Sequence, residues 1–410
     1  MKNGVIKLTF VGDLMCQAPQ LKFLREKGLS YDTVFDFVRD LFDDSDYVMA
    51  NLETPVSDSH SLSRELMSFN APVSFLTAIK GAGIDFVSLA NNHIWDCGPK
   101  GVDETIANAR KTGLDFAGAY DERSATEEIL IKEMGGVKIA IIACTYETNF
   151  GRPQERMMPD TEWKVDLLKR PERYPLSFWF PIRRWLSNLV SRKVKDRLLT
   201  LCAAFRNPRR IMYCCDSVSA SRIGAAEDES YRMAIERKIR RAKAVSDLVI
   251  VLPHIGGQHN PAPGLYHEYT MQWMSKAGAD IIVAGHAHVP QRACRMDTGT
   301  VAAYCLGDFV FSMVEDRYNT GFLTNTSIVL NVFVDRKTKS VARVTFSPCE
   351  VPVGCAAPRP IAALHQTACS PYRREQLFIE NEAVVRMVRG GTRVVPMREE
   401  YELPLEVPAY

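Results

Sequence analysis

An α/β fold follows from three features of this 410-residue chain. Short β-rich runs recur along it: "IKLTFVGD", "YVMANLE", "DFVSLANNH", "VKIAIIACTY", "DLVIVLPH", "DIIVAGHAH" and "VAAYCLGDF". Most are apolar on both faces, as strands between two layers must be, and each gives way to polar residues. Helical patterns stand between several of them, and that alternation is the α/β signature.

Taken in order, "YDTVFDFVRDLF", "PVSFLTAIKGAG" and "GVDETIANARKTG" carry helical spacing, and the last is expected to stop at Gly113, a C-cap signal. The late stretch "SIVLNVFVDRKTKSVARVTFSPCEV" reads as an antiparallel hairpin, so the sheet system is expected to be mixed. From about Gly151 to Ala244 the rhythm breaks: basic residues outnumber acidic ones and no strand is evident. Within that segment Ile182, Trp185, Leu186, Leu189, Val190, Val194, Leu198, Leu201 and Phe205 fall at helical spacing among Arg, Lys and Ser. This amphipathic basic helix reads either as a side helix packing on the domain or as an element lying on an anionic membrane surface. In the second case "SFWF" and Trp185 would anchor a peripheral contact through 177–205. The domain reading is one unit over 1–350, interrupted by a basic helical insertion at 151–244, with a C-terminal extension at 351–410.

Composition narrows the classes. With 46% hydrophobic and 24% charged residues the chain is an ordinary folded protein, and a net charge of +2 gives no general case for nucleic acid. Eleven cysteines without CxxC spacing, two of them adjacent at Cys214 and Cys215, point to free thiols in a reducing compartment. The first apolar run is too short for a signal segment and none approaches a membrane span, so a cytoplasmic location is expected.

Ligands of α/β sheets gather outside the carboxyl ends of strands. Reading off those ends gives Asp13, Glu53, Asn92 with His93, His254, and His286 with His288. Four of the eight histidines fall there, which scattered surface histidines would not do. Carboxylate, amide oxygen and imidazole together suit one or two divalent ions of Mn, Fe or Zn. His286 and His288 stand two residues apart, so the period of a strand would lean both rings to one side, and Gly285 lets backbone approach what they face. His259 and His267 are expected in the loop that follows His254. Asn91 is expected to act as a turn residue.

The order Asp13, Glu53, Asn92–His93, His254, Gly285–His286–Ala287–His288 resembles the block pattern of the calcineurin-like metallophosphoesterase superfamily. More closely, "VGDLM", "NLETPVS", "SLANNHIWDCGPKGVDETIANARKTGLDFAGA", "VLPHIGG", "AGADIIVAGHAHVPQ" and "YCLGDFVFS" resemble the bacterial capsule synthesis CapA family, linked to poly-γ-glutamate production. The resemblance covers roughly residues 5–150 and 245–315. It implies an αββα sandwich with a metal centre at one end of its sheets. It further implies that Glu53 bridges two ions, that Asn92, His254 and His286 complete one site, and that Asp13 and His288 serve the other. His93 would be the acid near the leaving-group oxygen, with Asp96 orienting it or else opening the next helix. Met15 stands where the superfamily carries the histidine of Asp-x-His, and Asp308, where CapA proteins commonly show Asn, is a candidate to serve that side.

Two readings follow. One is a hydrolase cleaving a phosphoester, or a γ-glutamyl amide, in a small molecule or an anionic polymer. The other is a non-catalytic accessory protein in capsule or poly-γ-glutamate synthesis, which the absent histidine favours and the retained His93 opposes. Oligomeric state has no signature in the sequence.

Overall fold

Strand β6 (Val137–Thr145) shows how the layers arise. Ile139, Ile141 and Ala143 join one apolar cluster and Ala140, Ile142 and Cys144 another, so successive side chains face opposite ways. The same division separates Leu248, Ile250 and Leu252 from Val249 and Val251 on β7 (Leu248–His254), and Ile281 and Val283 from Ile282 on β8 (Ile281–Val283). One face meets a second sheet; the other takes Ile235, Ile239, Met271 and Met274 from two helices. Fully burying an Ile or Met in this way contributes about 1.5–3 kcal/mol.

In this computed structural model, residues 4–62, 68–149, 157–171, 218, 220–311, 324–352, 355–391 and 394–404 are described. The remaining elements are the strands β1 (Val5–Leu14), β2 (Tyr47–Leu52), β3 (Phe86–Ser88), β4 (Asp115–Ala117), β5 (Leu130–Met134), β9 (Ala293–Arg295), β10 (Val301–Ala303), β11 (Asp308–Val310), β12 (Thr326–Asp335), β13 (Ser340–Glu350), β14 (Arg359–Pro360) and β15 (Tyr401–Glu402). The helices are α1 (Ala18–Lys27), α2 (Val73–Gly81), α3 (Gly98–Thr112), α4 (Glu229–Val245), α5 (Leu265–Ala277), α6 (Ile361–Thr367) and α7 (Pro371–Arg389). One sheet runs β14-β13-β12-β1-β2-β3-β4, with β11 beside β1 and β15 beside β13; the other runs β5-β6-β7-β8-β10-β9. Pairs β1–β2, β2–β3, β3–β4, β6–β7 and β7–β8 are parallel, whereas β12–β13 is antiparallel. The two sheets share the larger apolar cluster, which also takes Phe75, Leu76 and Ile79 of α2 and Val102 and Ile106 of α3. The fold is therefore an αββα sandwich with a mixed sheet.

The expected hairpin is β12–β13, and α3 does stop at Gly113, whose φ of 74° is the left-handed cap. The segment Tyr31–Leu41 differs from expectation: it forms two 3₁₀ turns, Tyr31–Phe35 and Arg39–Leu41, rather than an α-helix. Val34, Phe35 and Val38 are buried as the spacing requires. Thr33, Val34, Asp36 and Val38, however, are weak helix formers, and the short turns already bury the apolar residues. Within 151–244, α4 packs its Ile235, Ile239 and Ala242 into the cluster behind β6 and β7. The basic helix at 177–205 lies outside the described residues. Among the described residues no helix is long and apolar enough to cross a membrane.

One contact fixes the end of β1. Asp13 N donates to Gly307 O at 3.1 Å, and a methyl on Gly12 would run into that same carbonyl oxygen. Gly12→Ala is expected to destabilise the protein by about 3 kcal/mol, read as a lower urea midpoint with unchanged slope.

Candidate metal centre

All six residues expected as ligands meet at one end of the two sheets. Asp13 is the penultimate residue of β1, Glu53 follows β2, Asn92 lies in the turn after β3, His254 ends β7, and His286 and His288 follow β8. All six are buried, Glu53 completely. Parallel strands place these ends side by side, which is why distant stretches of sequence converge.

The rings of His286 and His288 converge for a different reason from the one the spacing suggests. β8 ends at Val283, and His286 and His288 lie beyond it with φ of 91° and 56°. Left-handed backbone costs a non-glycine residue of order 1–3 kcal/mol and persists where surrounding contacts hold it. The turn, not the pleat, aims the two imidazoles. Gly285 does what its position implied, since a Cβ there would lie 2.9 Å from Asp13 Oδ1 and 3.2 Å from His254 Nδ1. Gly285→Ala is expected to lower divalent-metal affinity about tenfold or more with the fold intact, checked by metal titration beside circular dichroism.

Donor atoms converge closely. His254 Nε2 stands 2.8 Å from Asn92 Oδ1, 3.2 Å from His286 Nδ1 and 3.4 Å from Glu53 Oε1. Ligand atoms held at about 2.0–2.2 Å from one ion stand about 3.0–3.5 Å apart, so this set fits a shared cation. A second set adjoins it. His288 Nδ1 lies 3.6 Å from Asp13 Oδ2 and 2.7 Å from Asp308 Oδ1, while its Nε2 lies 3.8 Å from Glu53 Oε1. Three groupings, Glu53–His286–His288, Asp13–Glu53–His254 and Asp13–His288–Asp308, each offer ligand atoms within 4.8 Å of one another.

The electrostatics support a cation as the missing partner. Both Glu53 oxygens are buried without a hydrogen bond, an expensive state for a carboxylate. Burial resists its ionisation, yet the imidazoles of His254 and His288 hold the Glu53 carboxyl below the usual carboxylate range. Burial, then the charge of Glu53, pushes Asp13 well up, and burial pushes Asp308 up to about 6. Burial also holds His254 and His286 down. His288 goes the other way, to about 10: burial opposes its charge, but Asp308, Glu53 and Asp13 outweigh it. A buried divalent ion would neutralise these carboxylates and accept the imidazole lone pairs.

Beside this cluster, His93 Nδ1 and Asp96 Oδ2 are 2.7 Å apart. The same Asp96 oxygen accepts from Phe69 N at 2.8 Å, and the Phe69 ring stacks on His93 at 4.0 Å between centroids. Asp96 thus orients His93; α3, which starts at Gly98, has no side-chain N-cap bond. Asn91 acts as a strap, donating to Leu52 O at 2.8 Å and accepting from His93 N at 3.1 Å.

Several members were missed in the sequence. Asn51 donates to Asp13 Oδ1 at 2.8 Å, Asn149 Nδ2 lies 3.2 Å from His93 Nε2, and the Tyr146 ring sits 4.9 Å from that of His286. Asn51 had a usable signal, two residues before Glu53 at a strand end. His259 does lie in the loop after β7, with its ring 5.8 Å from that of His288. His267 does not: it is fully buried on α5. Met15 is buried and packs with Phe69, Phe311 and Val351 in a small apolar cluster.

Comparison with known proteins gives the following. The family model for "Bacterial capsule synthesis protein PGA_cap" matches residues 7–313. Capsule biosynthesis protein CapA of Bacillus anthracis is 26% identical over 314 residues, covering 76% of this chain and 61% of that protein. PGA biosynthesis protein CapA of Bacillus subtilis (strain 168) is 26% identical over 312 residues, covering 75% and 64%. The chain thus spans less than two thirds of the length of these relatives. Among solved structures, a novel phosphatase from Mycoplasma pneumoniae aligns with TM-score 0.40 at 15% identity, over 85% of this chain and 94% of that one. A putative 5'-nucleotidase from Staphylococcus aureus in complex with alpha-ketoglutarate aligns with TM-score 0.39 at 12% identity, over 91% and 58%. Likenesses at this level say nothing of activity.

Proposed function

This chain belongs to the bacterial capsule synthesis family PGA_cap, and from that premise we propose that it is a metal-dependent hydrolase acting on a phosphoester. The observation that carries this reading is Glu53, a fully buried carboxylate with both oxygens unbonded, ringed by Asp13, His254, His286 and His288. Glu53, Asn92, His254 and His286 would hold one ion, and Asp13 with His288 would hold a second beside Glu53. Bound there, divalent ions polarise a phosphoryl oxygen and lower the pKa of a bound water.

The chain's own residues do the rest. His93 stands at the edge of the cluster, its ring fixed by Asp96 on one side and by the Phe69 face on another. That placement suits it to deliver a proton to a departing oxygen, while Asp96 keeps the ring in register. A substrate carrying negative charge, small or polymeric, suits a site whose own carboxylates the cation neutralises. A γ-glutamyl amide is the alternative bond.

The accessory reading keeps one observation in its favour: Met15, which stands at the histidine position of Asp-x-His, packs in an apolar cluster. Hydrolysis of bis- and monophosphoesters by Mn²⁺-loaded protein tests the choice. Turnover supports the hydrolase, whereas stoichiometric metal with no turnover on either ester or on a γ-glutamyl amide supports the accessory role.

A further inference from the structure

We propose that Asp308 is a positioning residue, which grips His288 by Nδ1 so that Nε2 faces Glu53 as the donor to the cation. This rests on the metal-centre reading above and assigns one residue of that centre a task.

The backbone sets up the pairing. β11 runs parallel to β1 in the register Asp13↔Asp308, so one strand pair carries both carboxylates to the same edge. Gly307 just before it has φ of 81°, and a Cβ there would lie 2.5 Å from Thr326 O, so Asp308 leaves a tightly packed turn. Phe309 after it is completely buried. Asp308 is therefore held on a rigid element, and is itself 4% exposed against 6% for His288.

The ring has only two polar atoms, and their neighbours differ. Nδ1 meets Asp308 Oδ1 at 2.7 Å; Nε2 is the nitrogen turned to Glu53 Oε1, at 3.8 Å. An ionised carboxylate only accepts hydrogen bonds, so Nδ1 carries the hydrogen and donates it. The lone pair left for an ion is then on Nε2, which already points at the shared carboxylate. The same hydrogen bond also restrains His288 at its left-handed φ of 56°. The rival arrangement makes Asp308 a ligand itself, with Asp13 and His288 Nδ1, since those three atoms also lie within 4.8 Å. It would take Nδ1 for the metal and break the short contact to Asp308.

Mn²⁺ titration followed by the free-ion resonance signal, on the parent, Asp308→Asn and Asp308→Leu, separates these cases. The proposal expects unchanged stoichiometry and affinity falling in the order parent, Asn, Leu. The leucine variant loses about 10–100-fold, and Asn recovers part because its amide oxygen still accepts from Nδ1. Loss of one equivalent of Mn²⁺ in Asp308→Asn would make Asp308 a ligand and overturn the proposal, as would unchanged affinity in both variants. On the folded Asn variant and the parent, nitrogen-15 spectra of the Zn²⁺-loaded proteins should show His288 protonated at Nδ1; protonation at Nε2 in the parent would also overturn it. A parent that binds no metal overturns the metal-centre reading as well, which keeps the two failures apart.

Discussion

Glu53→Gln is expected to abolish divalent-metal uptake, and with it the largest metal-dependent change in the protein's behaviour. Glu53 Oε1 lies 3.4 Å from His254 Nε2 and 3.8 Å from His288 Nε2, so it faces both sets of donors. A neutral amide keeps the shape and removes the charge that an ion between those rings needs. The readout is thermal denaturation with and without Mn²⁺. Ligand at a hundredfold excess over Kd stabilises a parent that binds it by about 2.7 kcal/mol, and that increment is expected to vanish in the variant. Uptake by the parent should also strengthen as pH rises. His288, held protonated up to about 10 by Asp308, Glu53 and Asp13 against the effect of burial, must give up a proton to bind an ion. An undiminished Mn²⁺ shift in Glu53→Gln would remove Glu53 from the centre.

His93→Ala should separate chemistry from binding. Its ring does not belong to the three ligand groupings and is held instead by Asp96, Phe69 and Asn149. Metal content should therefore stay at the parent level while phosphoester turnover falls about 10²–10⁴-fold, the usual worth of a general acid. The size of the fall should depend on the leaving group. An alkoxide needs the proton and shows the full loss; a nitrophenolate leaves without it and shows little. Asp96→Asn should follow the same pattern more weakly, because it disturbs the ring's orientation and leaves the imidazole in place. Equal losses for both leaving groups, or loss of metal, would place His93 in a structural role.

The ligand set was legible because its members stand at, or within a few residues beyond, the ends of apolar runs. Parallel strands turn that serial order into a spatial cluster, so the positions of Asp13, Glu53, His254 and His286 needed no knowledge of long-range contacts. The hairpin and the Gly113 cap were readable for the same local reason. What escaped was set by distant pairing. Asp308 is a candidate from sequence for the side where Met15 stands, but its bond to His288 Nδ1 exists only because β11 inserts beside β1, and the stacking of Phe69 on His93 is a contact the residue types do not encode. The left-handed backbone at His286 and His288 is also hard to read from a sequence, since histidine, although enriched there among non-glycine residues, adopts it at only a small minority of positions. His267 is expected in the loop after His254, yet that loop ends at Gly264 and α5 begins at Leu265. Tyr31–Leu41 shows the converse, with correct burial carried by the wrong local geometry.

The most direct measurement is anomalous scattering from crystals grown with Mn²⁺. A peak is expected within Glu53, Asn92, His254 and His286, with any second peak between Glu53, Asp13 and His288. A map with no peak there, or with the imidazoles of His254 and His286 turned toward different regions of the molecule, would contradict it.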